Sequence, residues 1–418
     1  MNNTETCTLS NGMRVVCAPS PTATAYLGIA IDAGTRDEQP WESGMAHYVE
    51  HMSFKGTPHR TPMSIINCME AVGGDLNAYT GKEETVYYCT TPVEHYARAI
   101  KLLLDITLQS TYLQREMDKE VEVILDEIES YNDSPSELIF DDFEELLYPH
   151  HPLGRKILGD GELLREHTSE GMLSFVRRLY HPTRMVLFVY GRVPMKSVVQ
   201  VAERRLKSMA AEGHVFEETA GSIAPLVRKE PTLSPDPCIV RRDKDTHQTH
   251  VLVGNRCCGQ SSDDHLPLFL LNNILGGPGM NARLNVVLRE RNALVYTSES
   301  ALQAYTDTGV WSAYFGCDPH DVRRCLRLVG RELQRLCDDP LTECQLEAAK
   351  RQLKGQLRIS RDNFENVAIG MGKRMLHHNT VLDEDRFNER IDALTPQLLQ
   401  EVAQRYLSPE AQTTLIYE

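Results

Sequence analysis

Residues 76–80 read LNAYT, and residues 302–306 read LQAYT. Each pentapeptide precedes a strand-like run, TVYYCTTP from Thr85 and VWSAYFGCDP from Val310. A helical pattern then opens at Pro92 or Pro319. The offset is 226 between the tyrosines (305 − 79) and 227 between the prolines (319 − 92). One shared pentapeptide can be an accident. A matched series of strand, strand and helix at a steady offset points to an internal duplication. Upstream, SFKGT (53–57) and ILGGP (274–278) close two similar helical stretches at a slightly shorter offset.

Working outward, TCTLSNGMRVVCAP (6–19) places two strand-like runs around Asn11-Gly12, a strong hairpin signal. TPMSIINCMEAVGG (61–74) predicts a helix with Thr61 as N-cap, Pro62 at its first position and Gly73 ending it. Thr91 and Glu94 predict a capping box ahead of a long amphipathic helix carrying Ala97, Ile100, Leu104 and Leu108. RMVLFVYG (184–191) reads as a buried strand. Hairpin-paired strands separated by long helices predict an α+β fold. It consists of two duplicated halves, each an antiparallel β-sheet covered on one face by helices. The domains expected are residues 1–211 and 238–418. The segment 212–237, mixed in Gly, Pro, Ser and charge without periodicity, is the expected linker.

At 418 residues the chain is long enough for two domains. A net charge of −15 without a basic cluster argues against nucleic acid as partner. No apolar run reaches the length of a membrane span, so no membrane partner is expected. The opening MNNTETCTLSNGMRV lacks a charged and apolar leader pattern. Eleven cysteines, without a C-x-x-C pair, suit free thiols in a reducing compartment, and a cytoplasmic protein is expected. The glycines of LLNNILGGPGMNARL (270–284) lack the phosphate-binding loop pattern, so nucleotide binding is unsupported.

The chemistry turns on AHYVEHMSFKGT (46–57). On a helix, His47 and His51 share one face, and Glu50 lies a turn away. Two imidazoles so placed can hold one ion, while the glutamate can hold a water. By itself the motif also suits a helix with two surface histidines. A catalytic zinc site needs a third protein ligand, and the best source is QREMDKEVEVILDEIES (114–130). There Glu120 and Glu127 stand two turns apart, with Ile124 between them on the apolar side. Buried carboxylates need a cation to offset their desolvation. With Glu116, Asp118, Glu122, Asp126 and Glu129 alongside, the helix reads equally well as a solvated acidic face.

HYVEH followed by VILDEIES resembles the inverzincin zinc peptidases, the pitrilysin and mitochondrial processing peptidase family, whose motif is H-x-x-E-H. In that family the third ligand is a glutamate 76 residues past the second histidine, with another glutamate seven residues earlier. Here 127 − 51 = 76 and 127 − 120 = 7. The likeness extends over GTRDEQPWESGMAHYVEHMSFKGT, GGDLNAYTGKEETVYYC and ILGGPGMNARLNVVLRERNALVY, nearly the whole chain. It resembles most the bacterial branch with homodimeric subunits of about 45 kDa.

The resemblance implies one Zn²⁺ per chain, held by His47, His51 and Glu127, with Glu50 as general base and Glu120 hydrogen-bonded to a ligand histidine. Asn77, Ala78, Tyr79 and Thr80 would line an edge strand to which peptide substrates add. The second half lacks the motif, and carrying Glu127 across at 227 lands on Lys354. It offers instead Arg289 and Tyr296, similar to the family's Arg-x6-Tyr pair, which would bind substrate backbone and stabilise the oxyanion. In a clamshell homodimer this pair is expected to act in trans. The expected activity is a zinc endopeptidase or oligopeptidase. The alternatives are a processing peptidase for specific precursors and a non-catalytic peptide-binding or scaffold subunit.

Overall fold

Gly12, at φ +89°, turns the chain between two paired strands, β1 (Glu5–Thr8) and β2 (Arg14–Ala18). The computed structural model describes residues 4–213, 228, 231–232 and 235–418. Most of the expected linker, 212–237, therefore lies outside the described residues. After β2 come β3 (Thr24–Ile31), α1 (Met45–Ser53), α2 (Pro62–Glu70), β4 (Asp75–Thr80) and β5 (Thr85–Pro92). Then follow α3 (Tyr96–Leu108), α4 (Gln114–Asn132), α5 (Pro135–Leu147), α6 (Gly161–Glu166), α7 (Ser169–Leu179), β6 (Met185–Tyr190) and α8 (Met195–Ala211).

The second half repeats the series. It runs β7 (Ile239–Arg242), β8 (Thr249–Cys258), α9 (His265–Gly276), β9 (Val295–Ala304) and β10 (Thr308–Cys317). Helices α10 (Val322–Asp338), α11 (Glu343–Ser360), α12 (Phe364–His378), α13 (Glu384–Asp392) and α14 (Pro396–Tyr406) lead to β11 (Thr413–Tyr417). The strand orders are β1-β2-β6-β3-β5-β4 and β7-β11-β8-β10-β9. Aligned by chain order, β2, β6, β3, β5 and β4 match β7, β11, β8, β10 and β9. The duplication read from LNAYT and LQAYT is thus a duplication of topology. Most pairings are antiparallel, but β2–β6 and its counterpart β7–β11 are parallel.

The chain divides into two units. The first holds residues 1–128, 155–228 and 361–384, and the second holds 129–154, 229–360 and 385–418. In the first, alternate residues of β3 and β6 (Leu27, Ile29, Leu187, Val189) enter a core with α1, α3 and α8. Their neighbours Ala30, Val186 and Phe188 enter a separate core with Ala368, Met371 and Met375 of α12. Period-2 alternation puts these cores on opposite faces. In the second unit, Val251, Val253 and Phe315 pack with α9, α10 and α14. Leu252, Tyr314 and Leu415 pack with Leu138, Ile139 and Phe143 of α5. The two-halved α+β architecture stands. Where helices were expected on one face, a second face is covered too, in each unit by a helix from the other half of the sequence.

Local signals largely held. Thr61 Oγ1 accepts from Ser64 N at 3.3 Å, Pro62 is the first residue of α2, and Gly73 follows at φ +72°. The capping box at Thr91–Glu94 does not form. Thr91 and Pro92 still pair with Ala25 and Thr24 of β3, and a 3-10 turn, Val93–His95, precedes α3. The strand ladder claims the backbone that the cap would have used.

Candidate metal centre

α1 starts at Gly44, whose φ of +80° suits a glycine, and the Glu38 carboxylate caps it. Glu38 accepts from Gly44 N at 3.2 Å and Ala46 N at 2.9 Å, satisfying backbone donors that the helix leaves open. The opposite face of the helix is core, with Tyr48, Val49 and Met52 buried. His47, Glu50 and His51 are left on the face toward α4. There Ile124 is fully buried, and Glu120 and Glu127 flank it.

The donor atoms converge. His51 Nε2 lies 3.5 Å and His47 Nε2 3.8 Å from the same oxygen, Glu127 Oε2. The imidazole rings meet edge-on, centroids 4.6 Å apart. These separations exceed a hydrogen bond. They suit donors sharing one ion, since ligands about 2.1 Å from a tetrahedral zinc stand about 3.4 Å apart. Burial, with His51 beside it, pushes the His47 imidazole down to about 3, so the ring is neutral and has a lone pair to give. Two imidazoles and a carboxylate are zinc-type donors, and the residues fit the ion. Glu127 keeps 45% of its side-chain surface exposed, so the cluster opens to solvent on that side.

The supporting contacts are specific. Glu120 Oε1 lies 2.9 Å from His51 Nδ1, and its other oxygen pairs with Lys55 Nζ. A carboxylate only accepts, so Nδ1 donates to Glu120, and Nε2 is the nitrogen turned toward Glu127 and placed to ligate an ion. Burial opposes the charge on Glu120, but the His51 and Lys55 hydrogen bonds outweigh it and its pKa falls. Burial raises the pKa of Glu50, and Thr80 Oγ1 donates to Glu50 Oε2 at 2.5 Å.

All four residues of the expected zinc set therefore meet in the first unit, with Glu120 beside them. Lys55 was missed, although it stands one turn beyond His51 on the same face of the sequence pattern. Glu38 was missed because its spacing to Gly44 and Ala46 matches no local cap. Asn77 to Thr80 lie on β4, an edge strand. In the second unit, Arg289 sits on a π-helical turn, Asn285–Glu290, and Tyr296 on β9. They line one cavity of about 590 Å³ with Asn272, Asn273 and Gln356, and Tyr296 is 88% exposed. Lys354 pairs with Asp392. Among the described residues one other trio, Asp318, His320 and Asp321, could gather around a cation. It lies at the surface where α10 begins, and the positive end of that helix opposes a cation.

Residues 14–161 match the family model described as insulinase, peptidase family M16, and residues 167–353 match the peptidase M16 inactive domain. An uncharacterized zinc protease of Mycobacterium leprae is 30% identical over 96% of this chain and 88% of its own length. The mitochondrial-processing peptidase subunit beta of Bos taurus is 31% identical, over 96% of this chain and 81% of that one. The uncharacterized zinc protease YmxG of Bacillus subtilis is 31% identical, over 94% and 95%. The crystal structure of a protease from Helicobacter pylori superposes with a TM-score of 0.86 at 20% identity, covering 100% of this chain and 99% of that one.

Proposed function

This chain belongs to peptidase family M16, with the pitrilysin-type and mitochondrial processing peptidases, and from that premise we propose that it is a zinc endopeptidase or oligopeptidase. The observation that carries the reading is the convergence of His47 Nε2, His51 Nε2 and Glu127 Oε2 beside Glu50. Bound by these three side chains, one zinc ion per chain would supply Lewis acidity for a water and for the scissile carbonyl.

The protein's own groups supply the rest. Glu50 takes the proton of the attacking water on its carboxylate and returns it to the nitrogen of the leaving amine. Burial raises the proton affinity of Glu50, which favours that acceptance. Glu120 holds the His51 ring in one tautomer and orientation. Among the described residues the outer edge of β4 has no strand partner, although Asn77 Oδ1 accepts from Ala78 N at 2.8 Å, and an extended peptide adds along Asn77 to Thr80 as a further strand. Recognition through backbone reads conformation more than sequence, so specificity is loose.

Arg289 and Tyr296 complete the reading as a homodimer in which each chain gives this pair to its partner's site. The guanidinium holds substrate backbone and the phenol hydrogen-bonds the developing oxyanion. No helix among the described residues is long and apolar enough to cross a membrane. All eleven cysteines are free and eight are buried, in keeping with a cytoplasmic setting.

The likeness to a processing-peptidase subunit favours a second reading, in which the same chemistry trims specific precursors. A scaffold role sits poorly with a complete donor set. Metal analysis together with cleavage of a random peptide library tests all three. Wild type should carry zinc and cleave broadly. Glu50→Gln should carry zinc and not cleave. A narrow cleavage pattern would favour processing, and a Glu50→Gln protein cleaving at full rate would rule out a mechanism with Glu50 as base.

A further inference from the structure

We infer that the Thr80 side chain is a positioning residue for Glu50, distinct from any part its backbone plays in holding a peptide. The inference rests on the reading of Glu50 as general base. On β4, Leu76 and Ala78 pack against the core beneath α1, whereas Tyr79 packs on the opposite face against α12. Thr80 falls on the same side as Leu76 and Ala78 by alternation, and there its hydroxyl meets Glu50 Oε2 at 2.5 Å. An added peptide strand would lie in the plane of the sheet, bonded to backbone. The Thr80 side chain stands perpendicular to that plane, turned toward the helix.

The contact is well fixed on the threonine side. Thr80 is buried and pairs with Thr85 in the β4–β5 ladder, and Thr85 Oγ1 donates to Ala33 O at 2.9 Å. A β-branched side chain in a strand has few χ1 options. Glu50, by contrast, has three rotatable bonds and no other hydrogen-bond partner among the described residues. A hydroxyl has one proton to give. By donating it to Oε2, Thr80 pins one oxygen of the carboxylate and leaves Oε1 to take the proton of the water. Without that bond the base must find its orientation at each turnover, at an entropic cost to the chemical step.

The test compares Thr80→Val, which keeps the shape and removes the hydroxyl, with Thr80→Ser, which keeps the hydroxyl. Expected for Thr80→Val is a loss in kcat of about tenfold with KM little changed, and for Thr80→Ser recovery to within about threefold. Binding of an uncleaved peptide to the metal-free proteins, read by fluorescence anisotropy, should be the same in all three. Crystals of metal-free Thr80→Val should show the Glu50 carboxylate displaced or in several positions, while Thr80→Ser keeps the wild-type placement. An unchanged kcat overturns the inference. So does a loss that appears only in KM and in peptide affinity, or a Glu50 carboxylate unmoved in Thr80→Val. If wild type shows no peptidase activity, the functional reading has failed. The crystals still decide whether Thr80 holds Glu50.

Discussion

His51 Nδ1 and Glu120 Oε1 lie 2.9 Å apart, and the second oxygen of Glu120 is taken up by Lys55. Glu120 thus links a proposed metal ligand on α1 to a half-buried lysine just past the end of that helix. The lysine neutralises the glutamate, and the glutamate orients the ring.

Glu120→Gln keeps an acceptor near His51 but places an amide against Lys55. We expect metal affinity to fall by about 10- to 100-fold with the fold intact. Competition with a calibrated chelator measures it. Unchanged affinity would reduce the His51–Glu120 contact to an ordinary ion pair.

Zinc added to metal-free protein should raise Tm, because a ligand bound only by the folded state stabilises it by about 2.7 kcal/mol at 100 times Kd. His51→Ala and Glu127→Ala should abolish most of that rise in differential scanning fluorimetry. An equal rise in Glu127→Ala would place the metal elsewhere.

Glu84 ties β5's start to α12 through Lys373 Nζ at 2.5 Å and His377 Nε2 at 3.2 Å. Burial alone would raise its pKa, but the bonds to His377 and Lys373 win and bring it to about 2. A carboxylate depressed on folding gives stability that is full above its unfolded pKa and lost as pH falls through the folded one. The Tm advantage of wild type over Glu84→Gln should therefore be constant above about pH 5 and shrink between about pH 4.5 and 2. Thermal melts across that range measure it, and a pH-independent difference would show that Glu84 is not held charged by its partners.

If Arg289 and Tyr296 act in trans, inactive His51→Ala and Tyr296→Phe chains should complement each other. Random re-pairing makes half the dimers mixed, each with one intact site of two, so about a quarter of wild-type activity should return. No recovery after exchange, verified by native mass spectrometry, would place the pair in its own chain's site, and a fully active Tyr296→Phe chain would place Tyr296 outside catalysis.

Gly372 of α12 lies against Phe188, and a Cβ there would fall 2.4 Å from the ring. Phe188 is fully buried in β6. Gly372→Ala should destabilise by about 1–3 kcal/mol through overpacking, seen as a lower denaturation midpoint. A neutral effect would mean that the helix does not seat this closely.

The site was readable to the extent that it obeys one period. His47, Glu50 and His51 fall on one helical face, and Glu120 and Glu127 on another, so spacing alone brought each set together. That the two faces meet was one of two equal readings of residues 114–130 until the family resemblance decided it. Thr80 was singled out for its strand, yet its contact with Glu50 joins a period-2 element to a period-3.6 one, and neither pattern records such a crossing. Fold reading met the same limit. LNAYT and LQAYT exposed the duplication, but α5 and α12 are amphipathic helices whose apolar stripes look alike whichever sheet receives them. The pairing of β2 with β6 joins residues that are about 170 positions apart, and local propensity is silent there.

The placement of α12 on the first sheet has a consequence for biogenesis. A ribosome delivers the chain from its amino end, yet Phe188 and Tyr190 have no cover until residues 364–378 emerge. The early half must wait, its outer sheet face open to chaperones or to misassociation, until nearly the entire polypeptide has been made. Cutting a gene between the halves would therefore yield two fragments, each missing a helix that the other carries.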